Sequence, residues 1–366
     1  MDAFYFGFSS RLVQIQKPKH TNVVFLKTHK TASSTMQNLF FRFAERHNLT
    51  VALPVESCRR RFCYPKSFSP DFVHPHTIPA NIIASHMRFS KKELQRLMPN
   101  DTIYITILRE PSSMFDSAFN FYLNKCATFK RVPNQSLEAF LADPWRYYRP
   151  DERNSMFAHN HLVFDLGKDK DHPATDAAYV QDLLAEVEQT FSLVMITDYF
   201  DESLVVLRHL LSWDLEDILY FKLNMRKESS KKKLTPVLVS KIRAWNYLDG
   251  QLYDYFNASL WRQIAVLGRA LVAKEVQELQ RAQERLMSSC FKGQYRLSTH
   301  DEIRDQMHRP RYSKGKSEII GYDLPLNYSH GLSIQEKERC YKLVTPGIHY
   351  GWLLLQSQLL RHQQGH

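Results

Sequence analysis

Two lysines and five hydroxyl side chains fall within nine consecutive residues, Lys27-Thr28-His29-Lys30-Thr31-Ala32-Ser33-Ser34-Thr35, with no glycine among them. Such a run offers cationic and hydroxyl donors to an anion. Placed between a strand and a helix, it would gain the free backbone N–H groups and the positive dipole end of that helix. It is not the nucleoside-triphosphate loop, because G-x-x-x-x-G-K-[ST] is absent. The same residues also read as a capped helix with surface lysines. A second chemical element is Arg109, in Ile107-Leu108-Arg109-Glu110-Pro111, with Ser117 eight residues beyond it. The guanidinium fork suits a phosphate bidentately, although an Arg109–Glu110 surface pair fits these residues equally well. The third is His86, in Ser85-His86-Met87-Arg88-Phe89. An imidazole that titrates near neutrality is the side chain best suited to act as a general base.

The flanking segments say what must position these groups. Val23-Val24-Phe25-Leu26 is a short apolar run suited to a buried parallel strand. Met36, Leu39, Phe40 and Phe43 follow at i, i+3, i+4 and i+7, the stripe of an amphipathic helix. Residues 82–85 read as a second strand ending at His86, and 103–108 as a third, closed by Arg109. Ser112 is the expected N-cap of a helix carrying Met114, Phe115, Ala118, Phe119 and Tyr122. A fourth strand is expected over 191–197, with a helix near 202–211. Alternating strands and helices predict an α/β fold: a mostly parallel central sheet flanked by helices on both faces. Ligands of such sheets sit at the C-terminal strand ends, where all three chemical segments fall. Residues 226–233 read as an exposed charged linker. Val272, Val276, Leu279 and Leu286 place an apolar stripe on a long helix.

The chain of 366 residues has a formal net charge of +11, which favours anionic partners: nucleic acid, a membrane surface or a polyphosphorylated substrate. A nucleic-acid binder would interleave basic and aromatic residues along one face or show a known module, and neither is found. A small-molecule kinase would need loop glycines and an acidic strand end for Mg²⁺, also not found. The five cysteines form no CxxC pair, and no cluster has metal-ligand spacing, so no metal is expected. Cys58 and Cys63 are near enough to close a small loop in an oxidising compartment. Sequons at Asn48, Asn100, Asn134, Asn257 and Asn327 are glycosylation candidates and point to the secretory route. Residues 1–12 contain neither a membrane-spanning apolar run nor the pattern of a signal peptide.

Taken together, KTHKTASST after a hydrophobic strand, NIIASHMRF, ITILREPSSMFDSAFNFY, FDESLVVLRHLL and YFKLN resemble the galactose 3-O-sulfotransferases. These are Golgi carbohydrate sulfotransferases that include galactosylceramide sulfotransferase. The resemblance implies a P-loop-like sulfotransferase fold and 3′-phosphoadenosine 5′-phosphosulfate (PAPS) as donor. It implies a galactose-terminated glycan or glycolipid as acceptor, sulfated at the 3-hydroxyl, with no nucleic acid and no metal. By similarity, Lys27, Thr28, Lys30, Thr31, Ala32, Ser33, Ser34 and Thr35 hold the phosphosulfate, while Arg109 and Ser117 hold the 3′-phosphate. His86 takes the galactose hydroxyl proton, and Lys30 faces the leaving oxygen with Lys27 as its competitor. The segment RYSKGKSEIIGY also resembles the family, and its Lys314 and Lys316 are expected to close over the nucleotide. Arg88, His159, Asn160 and His161 are the expected acceptor contacts. Residues 21–350 would form one sulfotransferase domain, between an N-terminal segment (1–20) and a C-terminal tail (351–366). The family implies a Golgi membrane location with the catalytic domain in the lumen, held by an N-terminal span not seen here.

Overall fold

Four consecutive apolar side chains with no solvent exposure make Val23–Leu26 (β1) a strand covered on both faces. It is joined by Ile82–Ile83 (β2), Ile103–Leu108 (β3) and Leu193–Ile196 (β4) in the order β2-β1-β3-β4, all parallel. The computed structural model describes residues 17–231, 233–293, 295–310 and 318–364. Register aligns the strand ends: Leu26 lies opposite Thr106, and Leu108 opposite Ile196. The residues that follow, 27 and 109, therefore leave the sheet at one edge. Helices flank the sheet, including Ser33–Arg46 (α1) after β1 and Pro111–Tyr122 (α2) after β3. His161–Asp165 (α3), Ala177–Thr190 (α4) and Phe200–Leu211 (α5) surround β4 in sequence.

Two expected boundaries shift. The fourth strand is shorter than 191–197, and its following helix begins at Phe200. The second strand ends at Ile83, which frees Ala84, Ser85 and His86 from pairing. The N-cap of α2 is Glu110, not Ser112. Pro111 occupies the first helical position, where its fixed φ is already helical, so the cap must be the residue before it. The Glu110 carboxylate accepts from the N–H groups of Ser112 and Ser113 at 2.9 and 3.0 Å.

A second, antiparallel sheet was not anticipated. Met225–Arg226 (β5), Leu297–Thr299 (β6) and Ile319–Tyr322 (β7) lie in the order β5-β7-β6. Arg226, expected in a solvated linker, instead pairs with Asp116 at 2.7 Å with little exposure on either side. Tyr247–Leu267 (α6) packs on β4, and Arg269–Phe291 (α7) carries the predicted stripe, with Val272 and Leu279 buried. Ile334–Val344 (α8) is tied to α7 by a Cys290–Cys340 disulfide, around which Phe221, Phe291, Tyr322 and Leu343 form a satellite core. The Cys58–Cys63 loop is closed as expected, and Cys126 is a buried thiol.

Residues 351–364, read from sequence as a tail, are the body of the helix Gly347–Gln364 (α9), which packs along α1. Gly347 permits that approach: a Cβ there would lie 2.0 Å from Gln37 Oε1. Tyr350 and Leu354 are buried, and the Gln358 amide bonds both the N–H and the carbonyl of Val51. Among the described residues, no helix is long and apolar enough to cross a membrane.

Candidate active site

The loop between β1 and α1 is wound against the sheet by its own hydroxyls. Thr28 Oγ1 donates to the Ile107 carbonyl at 2.6 Å and lies 2.7 Å from Thr31 Oγ1; Ser33 Oγ donates to the Thr28 carbonyl at 2.5 Å. Lys30 and Ala32 both adopt left-handed backbone conformations, with φ of 63° and 58°. Side chains with a Cβ take that region rarely, and strain of this kind concentrates at functional sites. Ala32 is the N-cap of α1 and has no side chain able to cap, and no acidic residue lies in the first turn. A helix begun in this way turns N–H groups without a side-chain cap toward its N-terminal end, an arrangement suited to an anion.

Lys27, Lys30, Thr31, Ala32, Ser33, Ser34 and Thr35 all line one cavity of about 1990 Å³. Thr28 does not; it is fully buried and serves to pin the loop to β3. Lys27 donates to Ser34 Oγ at 3.3 Å. Burial first, and then the charges of Lys30 and Arg61, push its pKa down to about 7. The Lys30 ammonium sits 4.0 Å above the Phe121 ring.

Arg109 and Ser117 line the same cavity. The Arg109 fork is held from two sides, donating to Ser113 Oγ at 3.0 Å and to the Lys30 carbonyl at 3.2 Å. The alternative of an Arg109–Glu110 pair is not what forms, because Glu110 caps α2 and bonds Arg243 at 3.0 Å.

His86 completes the group. Its Nδ1 lies 2.8 Å from the Lys27 carbonyl, which can only accept, so Nδ1 carries the proton and Nε2 keeps its lone pair. The ring stacks on His29 at 4.0 Å, and His29 stacks on His161 at 4.6 Å. Asp165 anchors the pile: it accepts from the His29 N–H and Nδ1–H, both at 2.9 Å, and from Tyr64 OH at 2.8 Å. Burial, reinforced by the positive charges of His29, Lys27 and Arg61, holds His86 well below the ordinary histidine range. Burial likewise lowers His161 to about 3 and raises Asp165 to about 6. Sequence reasoning gave His29 and Asp165 no role. They are 136 residues apart, and no local pattern connects them. One ring nitrogen each of His29 and His161 and one carboxylate oxygen of Asp165 lie within 4.8 Å of one another, a grouping invisible in the spacing.

The expected acceptor contacts lie elsewhere. Arg88, His159, Asn160 and His161 are absent from the cavity wall. Arg88 stacks its guanidinium 4.4 Å from the centre of Phe164, His159 bonds Asp171 at 2.7 Å, and Asn160 bonds the Lys170 carbonyl. These are framework roles; His161 alone reaches the site, through the stack. Lys314 and Lys316 lie outside the described residues. Asn48, Asn100, Asn134 and Asn327 are exposed, whereas Asn257 is half-buried within α6. The cavity is also walled by Arg59, Arg60 and Arg61 of the Cys58–Cys63 loop and by His349 and Trp352 of α9.

The sequence model of the galactose-3-O-sulfotransferase family matches residues 2–358. The chain is 52% identical over 347 residues to galactose-3-O-sulfotransferase 3 of Homo sapiens, covering 94% of this chain and 80% of that one. It is 42% identical to galactose-3-O-sulfotransferase 2 of Mus musculus, with 92% and 85% covered. It is 41% identical to galactosylceramide sulfotransferase of Homo sapiens, with 90% and 77% covered. The strand–loop–helix unit and the fixed histidine stand beside these matches, and the chain belongs to the galactose-3-O-sulfotransferase family of sulfotransferase enzymes.

Proposed function

We propose that the protein moves a sulfonate group from PAPS to the 3-hydroxyl of a β-linked galactose on a glycoprotein, oligosaccharide or glycolipid. One observation carries this reading: the anion loop and His86 share a cavity, and the loop's own Lys27 carbonyl sets the tautomer of that histidine. The donor's features fit the residues present. The uncapped start of α1 with Lys27, Lys30 and the loop hydroxyls suits a phosphosulfate. The Arg109 fork with Ser117 suits a separate 3′-phosphate.

The donor supplies a sulfonate already activated by a phosphate leaving group. His86 takes the galactose hydroxyl proton at Nε2 as the new O–S bond forms and the S–O bond to the 5′-phosphate breaks. Lys30 offsets the charge that grows on the departing oxygen, an interaction stronger in the transition state than before it. Lys27, beside Ser34, holds the adjoining phosphate. A Golgi lumenal location is supported by the two disulfides and the exposed sequons.

The test is transfer of radiolabelled sulfonate from PAPS to lactose, N-acetyllactosamine, a core 1 disaccharide, galactosylceramide and a 3-O-methylated galactoside. Label is expected on galactosides and not on the blocked sugar. Donor binding without transfer to any of them would overturn the acceptor, and absence of donor binding would overturn the whole reading.

A further inference from the structure

In-line transfer sets a direction. The attacking hydroxyl approaches the sulfur opposite the leaving oxygen, so the acceptor must enter from the end of the cavity away from Arg109 and Ser117. In the order β2-β1-β3-β4, His86 follows β2 and Arg109 follows β3, on opposite sides of β1, and two elements of the cavity wall are fastened beside His86. The Cys58–Cys63 loop is tied to it by backbone, the Phe62 N–H donating to the His86 carbonyl at 3.0 Å. The first turn of α9 rests on Gln37, whose amide donates to Ser85 Oγ at 3.1 Å.

The face that α9 turns to the cavity carries His349, Trp352 and Gln356, spaced i, i+3 and i+7. Trp352 is 55% exposed there, although tryptophan is highly buried on average in folded proteins. Its helix is not loose. The opposite face is locked by buried Tyr350, whose hydroxyl donates to Glu45 at 2.6 Å, and by the paired bonds of Gln358 to Val51. A large flat apolar ring is thus carried by a fastened helix on a wall that also holds Arg59, Arg60, Arg61 and His349. β-Galactose is the matching shape: its axial 4-hydroxyl leaves one face of the ring lined only by C–H groups, which an aromatic face covers well.

Resting on the galactoside reading above, we propose that Trp352 is the platform on which the acceptor galactose stacks, with His349, Gln356 and Arg60 around it as hydrogen-bonding rim. This replaces the acceptor contacts expected from sequence and places specificity on the C-terminal helix.

The experiment compares Trp352→Ala and Trp352→Phe in steady-state transfer to N-acetyllactosamine. The alanine variant should raise the acceptor KM by about tenfold or more while the PAPS KM stays put, and phenylalanine should restore most of the loss. Independently, titrating lactose into the complex with 3′,5′-bisphosphoadenosine should perturb tryptophan emission in the parent protein and not in Trp352→Phe. An unchanged acceptor KM in Trp352→Ala, a parallel rise in both constants, or a surviving emission change in Trp352→Phe would each overturn the platform. Failure of the parent protein to transfer sulfonate to any galactoside is a different result, and it would overturn the function on which the platform depends.

Discussion

At His86 the proton-accepting nitrogen is chosen by the backbone. With Nδ1 spent on the Lys27 carbonyl, only Nε2 is left for a substrate hydroxyl, and burial keeps it unprotonated through neutrality. Replacing His86 by alanine should lower kcat by about 10²–10⁴-fold, the usual share of a general base, with donor affinity kept. Retained turnover would remove His86 from the chemistry. Lys27 makes a pH prediction whose sign follows from its surroundings. With its pKa pushed down to about 7, chiefly by burial, the amine loses its charge as pH rises through neutrality. A polyanionic donor binds the protonated form better, so donor affinity should fall between pH 6.5 and about 8.5 and be level below that range. Lys27→Arg, charged throughout, should flatten the profile; calorimetric titration of 3′,5′-bisphosphoadenosine at several pH values reads both. A wild-type profile already flat would show that Lys27 does not meet the anion.

At the scale of elements, the cap of α2 does double duty. Glu110 satisfies two helix N–H groups and engages Arg243, and the helix it begins carries Ser113, which steadies Arg109, and Ser117. Glu110→Ala should cost about 0.5–2 kcal/mol in chemical denaturation and raise the PAPS KM more than it lowers kcat. A donor KM that did not move would mean Arg109 is positioned without the cap. The same element shows what was legible beforehand. The strands β1 and β3 were readable to the residue, because short runs of apolar side chains, broken in β3 by Thr106, leave a buried strand little alternative. The cap was misplaced because Ser112 is the better N-cap residue type, and the proline before it decides otherwise. The two- to four-residue strands of the second sheet are too short to carry a period. Of the residues singled out from sequence, Lys27 and Lys30 to Thr35 of the first loop, His86 and Arg109 at strand ends, and Ser117 on the helix after β3 are the ones that line the cavity. What could not be read depends on distant contacts. The Asp165–His29–His86 stack joins three segments, and the acceptor arm joins the Cys58–Cys63 loop to a helix that had been read as a tail.

On the scale of the whole molecule, the net charge of +11 suits attraction of a polyanionic donor, while the two disulfides separate stability from recognition. The Cys290–Cys340 bridge spans 50 residues, and both sulfurs lie inside the satellite core with Phe291, Tyr322 and Leu343. The Cys58–Cys63 bridge spans 5 residues and closes a half-exposed loop bearing Arg59, Arg60 and Arg61 on the cavity wall. If a disulfide acts mainly on the entropy of the unfolded chain, the long closure is worth about 4 kcal/mol and the short one about 2. Replacing Cys290 and Cys340 by alanine should therefore lower the denaturation midpoint further than replacing Cys58 and Cys63. Kinetics should show the reverse order. Loosening the small loop disturbs the arginines of the acceptor arm and should raise the acceptor KM, whereas loss of the long bridge leaves that arm fastened through Phe62 and Gln37. Acceptor KM values that rose in step with lost stability in both double variants would refute this separation. They would mean that the arm is held by the global fold rather than by its own local ties.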